Sequence, residues 1–475
     1  MSNLGIGTDE WVAQHEERQA SRHWFEKLFA QTPLWTKWGA FFLIAIAFGL
    51  GTDNQYLLRV GVNLALFIML AYGLNVVVGY AGLLDLGYVA FYGFGAYGYA
   101  LLSSEQLGHH WPTYLTVPIV TLLTAILGYI ISLPSRRLFG DYLAIVTLFF
   151  GQVFVQLVLA SDNITFPWAD DYVDITAGSN GIPGLDPFEL FGWKFTNIRD
   201  YYWLLIAIVL ILTIGLHRVN ATRIGRAWRT IREDALASEV MGVSVNRMKT
   251  LAFITGAAIA GFAGTIFAGM QSAVFVNGFD MPLMTMIYAA IILGGSGSLA
   301  GALLGASVMT VLPEVLRVPN YSEILFIAVL LLSLLAVSKK FVRFLIYLVA
   351  TVAVGYIFML IMNVANTKEA ADKDWATGVT GGVLKHWLFV PADRIIWGNV
   401  AFILVLSLIA YFSIATSTVK KVLLPFITFG AVFLWEVRLI ADVSTTRQLI
   451  IGVLLVVLMI IRPQGFLGKT RVEVL

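Results

Sequence analysis

The chain has 475 residues, of which 59% are hydrophobic and 13% charged; it carries a formal net charge of +2 and no cysteine. Soluble domains carry roughly 25% charged residues, so this charge content excludes an ordinary water-soluble fold. The near-neutral balance gives no sign of a nucleic-acid partner, and the missing thiols exclude disulfides.

Residues 1–37 form the first segment. Trp24, Phe25, Leu28 and Phe29 share one helical face amid Glu17, Arg18, Arg22, Glu26 and Lys27. The pattern predicts an amphipathic helix, lying either on the membrane surface or on the protein's own flank. Apolar runs then recur along the chain, and about 20 such residues cross a hydrocarbon core of about 30 Å. They do not alternate in polarity, so they predict helices rather than barrel strands.

The spans are placed at 38–52, 60–79, 83–102, 114–133, 142–160, 201–217, 250–271, 282–294, 298–313, 322–337, 342–362, 395–414, 421–436 and 447–461, about fourteen in all. The 282–294 and 298–313 pieces are short and separated by Gly294, Gly295, Ser296 and Gly297, a form of interruption that borders transport paths.

Loop charges set the sidedness. Arg136 and Arg137, the run from Arg218 to Lys249, Lys339 and Lys340, Lys420 and Lys421, and Arg462, Lys469 and Arg471 all fall on one side when every span crosses once. Basic residues accumulate on the cytoplasmic side, so both termini are expected there. The loop at 161–200 is acidic, with Asp162, Asp170, Asp171, Asp174, Asp186, Glu189 and Asp200, and is expected outside, as is the polar loop 363–394.

Two segments carry the functional expectations. In the stretch 75–102, glycines including Gly79, Gly82 and Gly87 permit close helix approach or a helix break, and Asp85 lies beside the break. An acid at membrane depth marks a functional position, and the alternative is that Asp85 caps the next helix. The stretch 228–249 is a charged, then small-residue, helical segment on the cytoplasmic side. No phosphate-binding Gly-x-x-x-x-Gly-Lys-Ser/Thr loop occurs, so any ATPase is a separate subunit that grips this segment. No His-Glu-x-x-His motif occurs, no metal is expected, and the histidines lie in loops or at span ends, which leaves no catalytic cluster. A secondary transporter would place more ionisable groups inside its spans.

The pieces NVVVGYAGLLDLGYVAFYGFGAY (75–97), GDYLAIVTLFFGQ (140–152), GSNGIPG (178–184), REDALASEVMGVSVNRMKTLAFITGAAIAGFAGTIFA (232–268), LGGSGSLAGALLG (293–305), LPEVLR (312–317) and RPQGFLG (462–468) stand in this order. Together they resemble the permease family of branched-chain amino acid ABC importers, of the LivM type.

The resemblance implies an all-α polytopic membrane protein with a type II, BtuC-like permease core. It implies a homologous LivH-like second permease, two cytoplasmic ATPases (LivG/LivF-like) that bind ATP and magnesium, and a periplasmic binding protein. The location implied is the bacterial inner membrane. It also implies that Arg232, Glu233, Asp234, Ala237 and Gly242 belong to a coupling helix gripped by an ATPase, and that Asn75, Gly79, Gly82, Asp85, Gly87 and Asn180 border the substrate path. Leucine, isoleucine and valine are the implied substrates, with urea or short amides as the alternative.

The chain departs from the family by about 120 residues, holding four extra spans, before RPQGFLG. The resulting division is a segment 1–37, a core 38–320, inserted helices 321–440 and a final helix and tail 441–475.

Overall fold

The computed structural model describes residues 34–135, 140–162, 174–190, 192–317, 319–338, 341–365, 367–369, 387–439, 448–452, 455 and 465–467. Most of the amphipathic segment 1–37, Asp170 and Asp171, the middle of the loop 363–394 and most of the 447–461 span lie outside them.

The protein is an all-α polytopic membrane protein. Among the described residues nine helices are long and apolar enough to cross a membrane, and shorter apolar helices accompany them. Every expected span up to 421–436 coincides with a helix. Contacts divide the chain into two units, Met1–Ser307 with Gln464–Leu475, and Val308–Pro463.

In the first unit α1 is Leu34–Gly51 and α2 is Gln55–Leu74, capped by Asn54, whose side chain accepts the Tyr56 N–H at 2.9 Å. The helix widens into a π-helical turn at Asn75–Tyr80. Residues 81–87 are not helical, and α3 runs over Tyr88–Leu102. The 83–102 span is therefore shorter than its hydropathy predicts. Its 15 residues reach about 22 Å. Short strands β1 (Ser103–Ser104) and β2 (His109–His110) lead to α4 (Thr113–Ser135), followed by α5 (Asp141–Ala160). Strands β3 (Ile182–Pro183), β4 (Glu189–Leu190) and β5 (Trp193–Lys194) precede α6 (Ile198–Ala221). Then come α7 (Arg223–Glu233), α8 (Ala235–Val240) and α9 (Val245–Gln271). Strand β6 (Ala273–Val274) precedes α10 (Met281–Gly294) and α11 (Leu299–Val315).

Helix α9 is central because its sequence is small where neighbours must approach. A Cβ on Gly264 would strike the Tyr92 carbonyl, and one on Gly95 the Gly261 carbonyl, so α3 and α9 meet backbone to backbone. Gly261 and Gly128 likewise seat α4, against Thr124 and Ala257. At the far end of α9, β6 pairs with β3 (Ile182 opposite Val274), which ties the 174–190 loop down. Arg199 bonds Asp53 at 2.6 Å, and His110 bonds Asp186 at 2.7 Å.

The second unit holds the last part of α11, then α12 (Pro319–Ser338), α13 (Phe341–Val364), α14 (Arg394–Ile414) and α15 (Ser417–Leu434), the last continuing into a π turn at Trp435–Leu439. Rings fill it. Phe326 stacks on Trp435 at 4.3 Å, and Phe358 meets Phe429 and Phe433 at 5.4 and 5.1 Å. Trp387 donates its indole N–H to the Val352 carbonyl at 2.9 Å.

Candidate functional site

The break between α2 and α3 is built from polar groups that replace lost helical bonds. Gly82 turns the chain at φ +71°, a conformation that favours glycine. The Leu86 N–H donates to the Thr147 hydroxyl at 2.9 Å. The Asp85 N–H donates to the Tyr288 hydroxyl at 3.1 Å, and that hydroxyl donates to the Asp85 carbonyl at 2.9 Å. The Asp85 carboxylate accepts the Gly87 N–H at 3.0 Å, while its second oxygen is buried without a partner. Asp85 thus stands two residues before Gly87, the residue that caps α3. Non-helical backbone is tolerated at membrane depth only when enclosed by protein in this way.

The second break lies between α10 and α11. Gly295 (φ +109°) ends α10, and Gly297 (φ +83°) turns the chain back. The Phe466 and Leu467 N–H groups donate to the Leu293 and Gly294 carbonyls, both at 2.9 Å. The C-terminal segment therefore docks on this turn and satisfies carbonyls that a helix end leaves open.

Arg232 joins the two breaks. Its Nη1 donates to the Gly79 carbonyl and, at 3.4 Å, to the Ser296 carbonyl; its Nη2 donates to Ser296 Oγ at 3.0 Å. Asn75 adds a second tie, its Oδ1 accepting the Gly297 N–H at 2.8 Å. A Cβ on Gly82 would lie 2.8 Å from Arg232 Cγ, so the missing side chain makes room for the arginine. Trp228, one turn earlier on α7 and 1% exposed, stacks on Tyr80 and donates to the Met248 carbonyl at 2.9 Å.

Beyond Arg232 the chain turns outward. Glu233 ends α7, and Asp234 caps α8, its carboxylate accepting the Ala237 N–H at 3.0 Å. The expected single helix from Arg232 to Gly242 is thus two, because capping fixes Asp234 in an extended conformation. Glu233, Asp234, Ala237 and Gly242 are exposed. So are Leu236, Val240 and Met241, at 74%, 87% and 83%. Gly242, at φ +83°, has open space where a side chain would project.

The structure gathers Asn75, Gly79 and Gly82 around Arg232, with Asp85 and Gly87 in the same break. Asn180 is elsewhere. It is exposed on the loop paired to the far end of α9, whereas the start of α9 lies beside Trp228. The 27 residues of α9 separate these ends by about 40 Å. Between them a groove of about 190 Å³ is lined by Leu66, Leu70, Tyr92, Phe267 and Leu283, with exposed Asn63 among its walls.

Sequence reasoning did not find Tyr288, Thr147, Trp228 or Ser296 as partners. Trp228 alone carried a local signal, an indole within a basic, otherwise polar helix. Among the described residues no group of three or more His, Asp or Glu side chains is placed to hold a metal.

Buried breaks in apolar helices, joined to an exposed helix outside the spans, define a polytopic membrane protein with interrupted spans. A family model described as branched-chain amino acid transport system / permease component matches residues 56–334, and the chain belongs to that family. The high-affinity branched-chain amino acid transport system permease protein LivM of Escherichia coli K12 is 34% identical over 293 residues, 57% of this chain and 66% of that protein. BraD of Pseudomonas aeruginosa, a permease protein of the same named system, is 27% identical over 254 residues, 52% of this chain and 80% of BraD. The probable branched-chain amino acid transport permease protein LivH of Methanocaldococcus jannaschii is 27% identical over 200 residues, 41% and 60% of the two chains. The alignment thus spans just under two thirds of LivM. No solved structure matches.

Proposed function

We propose that this chain is the transmembrane permease subunit of an ATP-driven, binding-protein-dependent importer of branched-chain amino acids in a bacterial inner membrane. The observation that carries the reading is the family match, which covers both breaks and the helix pair α7–α8. The chain pairs with a second, homologous permease in a BtuC-like core. Two cytoplasmic ATPases supply the ATP and magnesium chemistry, and a soluble binding protein delivers substrate from outside. Both termini are cytoplasmic, in keeping with the loop charges.

Transport needs no covalent step in this chain. ATP and the binding protein favour different states of the permease pair, and their differential affinity shifts the pair between outward- and inward-facing forms. The segment 75–87, with Asn75, Gly79, Gly82, Asp85 and Gly87, borders the path, and Asn180 stands at its outer mouth. The exposed apolar side chains of α8, with Ala237 and Gly242, seat against an ATPase; Glu233 and Asp234 border that contact. An apolar groove suits an aliphatic side chain. The helices of 321–440 are an addition to the permease core 38–320 and are not needed for the transport step itself.

A tagged pull-down from native membranes in mild detergent tests the reading. Recovery of a second permease and ATPases, with leucine taken up in preference to urea by the reconstituted complex, is the expected result. Preference for urea would redirect the substrate. Recovery of this chain alone in several mild detergents would overturn the importer and favour a secondary transporter.

A further inference from the structure

We propose that Arg232 is the strut that carries motion from the ATPase contact into the membrane, by holding both helix breaks with one guanidinium. This rests on the importer reading above.

Arg232 sits on the last turn of α7, two residues before Asp234 starts α8. Its neighbours Glu233 and Asp234 face outward, and its own head turns inward. There it bonds the Gly79 carbonyl of the π turn and both the carbonyl and hydroxyl of Ser296. Those two acceptors lie on segments more than 200 residues apart in sequence. The bond from the Gly297 N–H to Asn75 Oδ1 ties the same two segments a second time.

Both acceptor segments are places where the regular helix fails. A π turn leaves a backbone carbonyl accessible to an outside donor, and such turns recur at functional positions. Gly297 stands where any Cβ would strike Arg232. The planar fork of arginine serves two acceptors in fixed geometry, which a lysine ammonium cannot reproduce. A displacement of α8 therefore reaches the α2–α3 break and the α10–α11 turn together. Trp228, stacked on Tyr80, keeps α7 in register while this happens.

Arg232 is a positioning residue, so its test reads the break as well as uptake. The chain has no cysteine, so Leu84→Cys places a single thiol within 81–87, at a position 41% exposed. The full complex is reconstituted, and labelling of that thiol is timed without nucleotide and after trapping with ATP and vanadate.

With Arg232 intact, trapping is expected to change the labelling rate. In Leu84→Cys with Arg232→Gln the rate is expected to be the same in both conditions. The ATPases still co-purify and hydrolyse ATP, while uptake falls about 5- to 150-fold, the range for loss of one coupling interaction. A nucleotide response and uptake equal to those of the Arg232 protein would overturn the strut and leave the importer standing.

Should the glutamine variant fail to assemble, Arg232→Lys decides. A weakened response and reduced uptake support the two-acceptor role, and full values overturn it. Absence of any ATPase from the complex with Arg232 intact would overturn both the importer reading and the strut.

Discussion

The two units of this protein are held together by different materials. In the first, 83% of the positions in the apolar window of α2 with its π turn and 67% of those in α9 are buried, and glycines set their closest backbone approaches. In the second, only 11% of the positions in the apolar windows of α13 and α14 are buried, and packing rests on side chains, aromatic rings among them. Rings also pack α3 against α5 and α9 in the first unit, where the close backbone approach is the added feature. Small residues bring backbones together, so helices can break and still have their amides satisfied. Rings hold helices apart at a fixed distance and leave the backbone regular along most of its length. The polar breaks joined by Arg232 belong to the small-residue unit.

The sharpest way to break this contrast is to place side chains at matched glycines. Gly95→Ala forces its Cβ into the Gly261 carbonyl, which cannot move without shifting α9. The cost is expected to reach about 3 kcal/mol or more, the upper end for overpacking. Size-exclusion profiles and thermal melts in detergent should show little folded protein. Gly355→Ala presses on the Trp387 ring, a side chain that can tilt at the expense of its bond to the Val352 carbonyl, so about 1–2 kcal/mol and a smaller fall in melting temperature are expected. Equal effects would show that the units do not differ in this way.

Gly242→Trp comes next. A Cβ at this position has nothing within 4 Å, and the left-handed backbone costs about 1–2 kcal/mol. Folded protein should be recovered in near-normal yield while uptake is abolished, because the indole occupies the surface on which an ATPase would seat. Normal uptake would sink the coupling assignment. Deleting 338–440 should lower uptake and leave part of it, since the glycine-stitched helices are untouched. If no complex assembles, the ring-packed helices are structural partners of the core.

Much of this contrast was legible in the sequence. Hydropathy placed each described span within a few residues, because burying twenty apolar side chains in lipid dominates every competing term. Glycine clusters marked both breaks, and the breaks they mark lie together in the fold. Arg232, the Gly79–Gly82 turn and the Gly295–Gly297 turn lie together, with 465–467 docked beside them.

The rest depended on contacts that periodicity does not encode. Tyr288 meets Asp85 across 203 positions, and nothing near either residue announces the other. The resemblance placed Arg232 on the helix gripped by an ATPase; its inward turn depends on the space left by Gly82 and Gly297. The glycines marked the break, but the apolar residues within it keep the hydropathy high, so the span was begun at 83 although the helix starts at Tyr88.

Asp85 gives the smallest expected effect and the finest test of what the small-residue unit does. Its carboxylate makes one bond, to the Gly87 N–H, and the side chain is 1% exposed. Asparagine retains that acceptor and removes only the ionisable oxygen. If the residue serves to shape the break, Asp85→Asn should leave uptake and substrate affinity near their original values. Asp85→Ala should then lower stability by about 1 kcal/mol, the worth of one hydrogen bond, seen as a small shift in melting temperature. If the charge itself borders the path, the order reverses. Asparagine would then alter uptake as much as alanine does, since both remove the charge while only one removes the bond. Transport assays on the two variants, read beside their melting curves, separate the acid that shapes a turn from the acid that meets a substrate.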